Sequence, residues 1–269
     1  DVGELRDKFG HLAKGQILCD PRDSASLNVA TSLAGLPGAI LTDQDLGLDT
    51  LLDLRGKFGA VSQAYGYLEE EMPPGYSSAG AALMGVSLEF RDYIVKHRLL
   101  CLPFPARGER EEWLAVSRLL GKEDLGTPLF APAMQDERYD YIVSWLHQTG
   151  RPMVGAEGAA NLSFGGEAPA VELRPWTEDR QLGPKIYVCF IFSGGNDMGY
   201  VGGRMRGLWA EPAQRDLLLG WSVPPAFPVI TPGRFQYYAA EAYQSGSDDF
   251  LLEMGQIARA HPRAFDLMA

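Results

Sequence analysis

Short apolar runs alternate along this chain with longer stretches in which apolar residues return every three or four positions. The runs at 16–19, 39–42, 99–104, 128–131, 152–156, 217–221 and 250–252 are four to six residues long or shorter, and each reads as a strand. The run at 185–193 (KIYVCFIFS) is almost continuously apolar, the pattern of a strand covered on both faces. Helical spacing predicts helices over about 24–34, 51–58, 59–71, 109–120, 138–148 and 235–243. Asp23 or Ser24 is placed to cap the first of these and Gly35 to end it. The helix at 109–120 turns Trp113, Val116 and Leu120 to one side, and the helix at 138–148 turns Tyr141, Ile142 and Trp145 inward. Pro73-Pro74-Gly75 breaks the rhythm, and the Ser-, Gly- and Ala-rich stretch 76–85 reads as a linker. A domain boundary is therefore expected there, giving units 1–85 and 86–269.

Strands alternating with helices predict an α/β fold with parallel pairing and right-handed crossovers, either a doubly wound sheet or a (β/α) barrel. Both collect ligands at the carboxyl ends of the strands. The polar residues expected there are Asp20, Arg22 and Asp23; Asp43 and Asp45; Glu157 and Asn161; Ser193, Asn196 and Asp197; Trp221 and Ser222; and Asp248, Asp249 and Glu253. An aromatic face can stack on the C–H face of a sugar while carboxylates and amides bind its hydroxyls. Paired carboxylates can also serve as acid and base on a glycosidic bond. Each residue has a plainer reading beside this one. Asp20, Asp23 and Asp43 can cap turns and helices, Asp248-Asp249 can be a solvated turn, and Trp221 can belong to the core.

Composition narrows the field. With 24 basic and 35 acidic side chains in 269 residues the formal charge is −11, and the basic residues are scattered, which argues against a nucleic-acid partner. No run of eighteen apolar residues exists, so no membrane insertion is expected. No leader peptide is visible, and a chain opening on Asp1 reads as a processed product or an excised piece. Cys19, Cys101 and Cys189 sit in apolar runs as small hydrophobes, with no CxxC pair to hold zinc. The four histidines form no HExxH, and no G-x-S-x-G is present. Glycines 194, 195, 199, 202, 203 and 207 fit neither nucleotide-binding spacing, so no cofactor is expected.

Several segments, in order over nearly the whole chain, resemble the GxGYxYP putative glycoside hydrolase family. They are Ile17-Leu18-Cys19-Asp20-Pro21-Arg22-Asp23, then Leu27-Asn28-Val29-Ala30 with Leu33-Ala34-Gly35-Leu36, and Asn161-Leu162-Ser163-Phe164. The strand and turn YVCFIFSGGND at 187–197, Gly220-Trp221-Ser222 with Pro224-Pro225, Tyr237-Tyr238, and Asp248-Asp249-Phe250 complete the likeness. The resemblance implies a small amino-terminal α/β domain followed by a partial or distorted barrel of the glycoside hydrolase or deacetylase type. It also implies a carbohydrate substrate and an extracellular or periplasmic location.

Two departures stand out. Where the family has Asp-Gly-Asp-Asn after the serine, this chain has Gly194-Gly195-Asn196-Asp197. Of the naming motif, residues 256–262 keep only Pro262 in register. The chain thus reads as a truncated or divergent member. Glu157 and Asp197 are the expected acid and base, with Asp20, Asn161, Asn196, Trp221 and Asp249 as substrate-binding groups. One rival is a non-catalytic sugar binder using Trp221, Tyr200 and Trp209 for stacking. Another is a deacetylase-like enzyme with Asp197 and Asp249 as hard oxygen ligands to a metal.

Overall fold

The computed structural model describes residues 2–73, 80–105, 109–121, 128–131, 142, 145–146, 151, 153–155, 183–186, 188, 190–192, 198–211, 219–223, 231–244 and 250–253. It is an α/β protein with parallel sheets. The chain divides into two compact units, Asp1–Gly155 and Ala156–Ala269.

The first unit opens with α1 (Val2–Phe9) and a short 3-10 turn, then β1 (Gln16–Leu18), α2 (Ser24–Ala34), β2 (Ile40–Thr42), β3 (Thr50–Asp53) and α3 (Val61–Glu71). It continues through β4 (Ala81–Met84), α4 (Arg91–His97), β5 (Leu100–Pro103), α5 (Arg110–Leu120), β6 (Leu129–Ala131) and β7 (Met153–Gly155). Two parallel sheets result, in the orders β2-β1-β3 and β5-β4-β6-β7.

Helix α2 lies between these sheets. Asp23 caps it, accepting from the backbone N–H of Ala25 at 3.0 Å and of Ser26 at 3.3 Å. Every residue from Ala25 to Ala34 is buried, polar ones included. Those polar side chains therefore need internal partners. Ser26 donates to the Leu54 carbonyl, Asn28 to the Met84 carbonyl and Ser32 to the Cys101 carbonyl. The helix is thus bonded to the end of β3 on one flank and to β4 and β5 on the other. Ile17, Val29, Leu83, Leu102, Val116 and Leu129 belong to one continuous core around it. A cut at position 85 would divide that core and part β4 from β5, its hydrogen-bonded neighbour. The compact units meet instead at Gly155 and Ala156.

Two local expectations are corrected, and one element is added. The segment expected as a helix over 51–58 supplies β3, paired in parallel with β1. Its Leu spacing fits either form. Asp53 accepting from the Arg55 N–H and Gly56 at φ +64° close the strand with a turn. Within the expected linker 76–85 lies β4, a fully buried inner strand. Its sequence, Ala-Ala-Leu-Met, lacks the β-branched residues that announce a strand. Gly80 opens it at φ +142°, where an added Cβ would stand 3.0 Å from the Pro128 carbonyl and from the Phe130 ring. Helix α4 was not anticipated. It starts after Phe90 in a left-handed conformation (φ 66°), held there by ring contacts of 4.9 Å to Tyr93 and 4.8 Å to Phe130. The helix at 109–120 appears as α5 with Trp113, Val116 and Leu120 buried. Of the helix expected at 138–148, Ile142, Trp145 and Leu146 are described and helical.

The second unit contains β8 (Phe190–Phe192), α6 (Met198–Gly202), α7 (Arg204–Trp209), β9 (Leu219–Val223), α8 (Pro232–Gln244) and β10 (Phe250–Glu253). Its sheet is parallel, in the order β8-β9-β10. The strand expected over 185–193 is narrower and is not covered on both faces. Among the described strands β8 lies at the edge of its sheet, and Ile186, Val188 and Phe190 are 94%, 70% and 67% exposed. Helices α6 and α7 occupy the stretch with Gly199, Gly202, Gly203 and Gly207, where the sequence reading placed no element. Met205, fully buried, anchors them.

Candidate functional sites at the strand ends

In the first unit the carboxyl ends of β2, β1 and β3 form a polar rim. Parallel register sets Leu18 beside Thr42 and beside Asp53, so the residues leaving these strands emerge at one edge. Asp20 follows β1, Asp43 follows β2, and Asp53 ends β3. Asp20 accepts from the Arg22 N–H at 2.9 Å, and its own N–H donates to Ser26 Oγ at 3.0 Å. The carboxylate therefore shapes the turn into α2. Asp53 holds Arg55 in a two-point ion pair of 2.9 and 2.6 Å, and Arg55 also reaches the Asp43 carbonyl. That pairing lowers the Asp53 pKa and raises that of Arg55. Asp45 is lowered first by the Gln16 amide and then by the Gly47 N–H. Among the described residues, no three His, Cys, Asp or Glu side chains are grouped to hold a metal ion.

Behind this rim lies a group that the sequence did not reveal. Arg91 is 5% exposed. It donates to the Ser87 carbonyl at 2.6 Å, the Gly85 carbonyl at 2.8 Å and Thr31 Oγ1 at 2.7 Å, with Cys101 Sγ at 3.8 Å. Cys19 and Cys101 are both buried, and burial pushes each thiol up to about 11, a rise that the Arg91 charge partly offsets. At neutral pH both are protonated and neither is a nucleophile.

The second unit carries an aromatic cluster. Phe192 and Trp221 are register partners on adjacent strands, so their side chains share a face. Their rings stack at 4.6 Å with 16° between planes. Trp209 packs on Trp221 at 5.2 Å and on Tyr238 at 5.1 Å. Trp221 is 1% exposed, and its indole N–H has no hydrogen-bond partner among the described residues. Its ring is part of the interior and offers no open stacking face. Tyr238 is also buried, which pushes its phenol up to about 12. Tyr237, 39% exposed, and the half-buried Tyr200 present aromatic surface.

Of the seven residues singled out in the sequence, Asp20 and Trp221 are described, and they lie in different units. Glu157, Asn161, Asn196, Asp197 and Asp249 lie outside the described residues. The strand that follows Asp249, β10, begins at Phe250 on the amino edge of its sheet, and the residue at its carboxyl edge is Glu253. Nothing in the strand-end pattern pointed to Arg55, Arg91 or the arginines of α7 and α8. Their signal is their placement by tertiary packing, to which sequence spacing is blind.

Comparison with known families matches two stretches. Residues 13–72 match the model described as the GxGYxYP_N second domain, and residues 184–266 match the GxGYxYP putative glycoside hydrolase C-terminal domain. No curated protein matches the sequence. The fold is similar to that of a solved structure described as a putative hydrolase from Bacteroides thetaiotaomicron, with a TM-score of 0.74 and 22% identity. The alignment covers 93% of this chain and 50% of that one, so the chain spans half the length of the solved protein. At this identity the likeness concerns the fold.

Proposed function

Because the chain belongs to the GxGYxYP putative glycoside hydrolase family, we propose that it acts on carbohydrate and cleaves glycosidic bonds through carboxylates at its strand ends. The observation that carries this reading is the parallel register of β8, β9 and β10. Parallel strands deliver the residues that follow each of them to one edge, which is where a sugar can be held between acid and base. Asp197 follows β8 and Glu157 follows β7 of a different sheet, and the two roles go to this pair on the sequence pattern. Carboxyl groups about 5 Å apart would make the reaction retaining, and roughly 6.5–9.5 Å would make it inverting. Asn161 and Asn196 bind hydroxyl groups, and Tyr237 or Tyr200 supplies the stacking face that the buried Trp221 does not.

The test is hydrolysis of an oligosaccharide panel by the chain and by its Glu157→Gln and Asp197→Asn variants. Loss of a general acid or base costs about 10²–10⁴-fold in rate, so both variants should lose at least 10²-fold in kcat/KM and keep their sugar affinity. Full activity in both variants rules this pair out. The changed turn Gly194-Gly195-Asn196-Asp197 favours a second reading, a sugar-binding protein without turnover. Saturable binding with no product released would support it.

A further inference from the structure

In a chain of formal charge −11, one local group of arginines stands out in the second unit. Between Asp197 and Glu211, residues 198–210 include Arg204 and Arg206 and no carboxylate. Arg234 enters from α8 and lies directly on Gly202, close enough that a Cβ at that glycine would collide with its guanidinium. Arg206 sits over the Tyr237 ring at 5.9 Å. Arg204 acts electrostatically on Tyr200, while Arg206, Arg234, Tyr200 and Tyr237 all act on Tyr238. Arg206, Arg234, Tyr200 and Tyr237 therefore gather around Tyr238, with Arg204 acting from the Tyr200 side. Among the described residues none of the three arginines is paired with a carboxylate, whereas Arg6, Arg55 and Arg118 of the first unit all are. Arg204 and Arg206 are exposed and Arg234 is half-buried.

Topology gives this group its address. In a parallel β/α unit each helix runs back against its strand and so begins at the sheet's carboxyl edge. Arg234 is the third residue of α8, the helix between β9 and β10, and it meets α6, the first helix after β8. A guanidinium presents a planar fork of donors that matches a carboxylate or sulfate at two points, and a phenol ring beside it can cover a pyranose C–H face. We propose that Arg204, Arg206 and Arg234, with Tyr200 and Tyr237, bind an anionic sugar residue. The glycan this protein takes would then carry carboxylate or sulfate groups. This rests on the carbohydrate reading above and narrows it to a substrate class.

Calorimetric titration with an oligogalacturonate, a sulfated oligosaccharide and a neutral xylo-oligosaccharide of equal length tests it and separates the two anion sources. One or both acidic probes should bind at least tenfold more tightly than the neutral one, and added NaCl should weaken them selectively. Arg206→Gln and Arg234→Gln should each lower that affinity roughly tenfold, the loss of one charge-assisted hydrogen bond. Arg6→Gln, on the first unit, should leave it unchanged. Gly202→Ala displaces Arg234 without altering any charge and should weaken binding in the same direction. Equal binding of neutral and acidic probes, no binding of any probe, or indifference to the arginine variants each overturns the proposal. Acidic probes bound but not cleaved would sink the hydrolase reading and leave this site standing. A neutral glycan cleaved equally by wild type and arginine variants would do the reverse.

Discussion

Arg91 sits with its guanidinium out of water, where each of its donors needs an acceptor. The carbonyls of Gly85 and Ser87, with the Thr31 hydroxyl, supply them and tie the loop after β4 to α2. Replacing Arg91 with Met keeps the volume and strands those carbonyls. The expected cost is about 2–4 kcal/mol, read as a lower urea midpoint with the m-value unchanged. Cys19 and Cys101 lead to a pH prediction. Their thiols are raised from 9.0 to about 11 in the folded protein, so folding favours the neutral form. That contribution is fully present below pH 9 and is lost as pH rises through 11. The thermal midpoint should therefore fall between pH 9 and 11. Below pH 9, native thiols should label far more slowly with iodoacetamide than unfolded ones. Asp23 as a helix cap was legible in the sequence because its chemistry is local: a short carboxylate two and three residues ahead of free N–H groups. Arg91 was not, since its acceptors come from residues far apart along the chain.

At the level of elements, strong helical periodicity was readable and short segments were not. α5 was legible through Trp113, Val116 and Leu120, which fall on one face and are all buried. β3 and β4 were not. Four residues carry too little periodicity to separate helix, strand and linker, and the pairing that decides between them comes from β1, β5 and β6. The site residues share this limit. Strand ends were located from the sequence, but which edge of the sheet each one faces depends on where the strand begins. β10 starts at Phe250 and ends at Glu253. If the working edge is the carboxyl one, Glu253→Gln should reduce turnover or sugar binding more than Asp249→Asn. Comparing kcat/KM and Kd for the two single variants checks this, and a larger effect at Asp249 would favour the amino edge.

For the molecule as a whole, the division at Gly155 has a direct test. A chain ending there keeps β4 with both of its neighbours and all of α2's partners. Ending at Gly85 removes β5 and β6 and exposes Asn28, Ser32 and Leu83 to water. The longer fragment should show cooperative urea unfolding and dispersed amide resonances, and the shorter one should show neither. The α/β class was readable in the alternation of runs because parallel sheets require it. The grouping into units was not, because α2 bonds across the Ser- and Gly-rich stretch that resembles a boundary.

The bare rim of β8 has a practical meaning. Among the described strands β8 has a neighbour on one side, and its Phe190, with Ile186 and Val188 just before it, stands open to water. An unguarded border of that kind tends to recruit whatever extended polypeptide meets it, including another molecule's identical border. In concentrated or warmed solutions the threat to this protein is therefore sticking to itself along that border, before its interior ever melts.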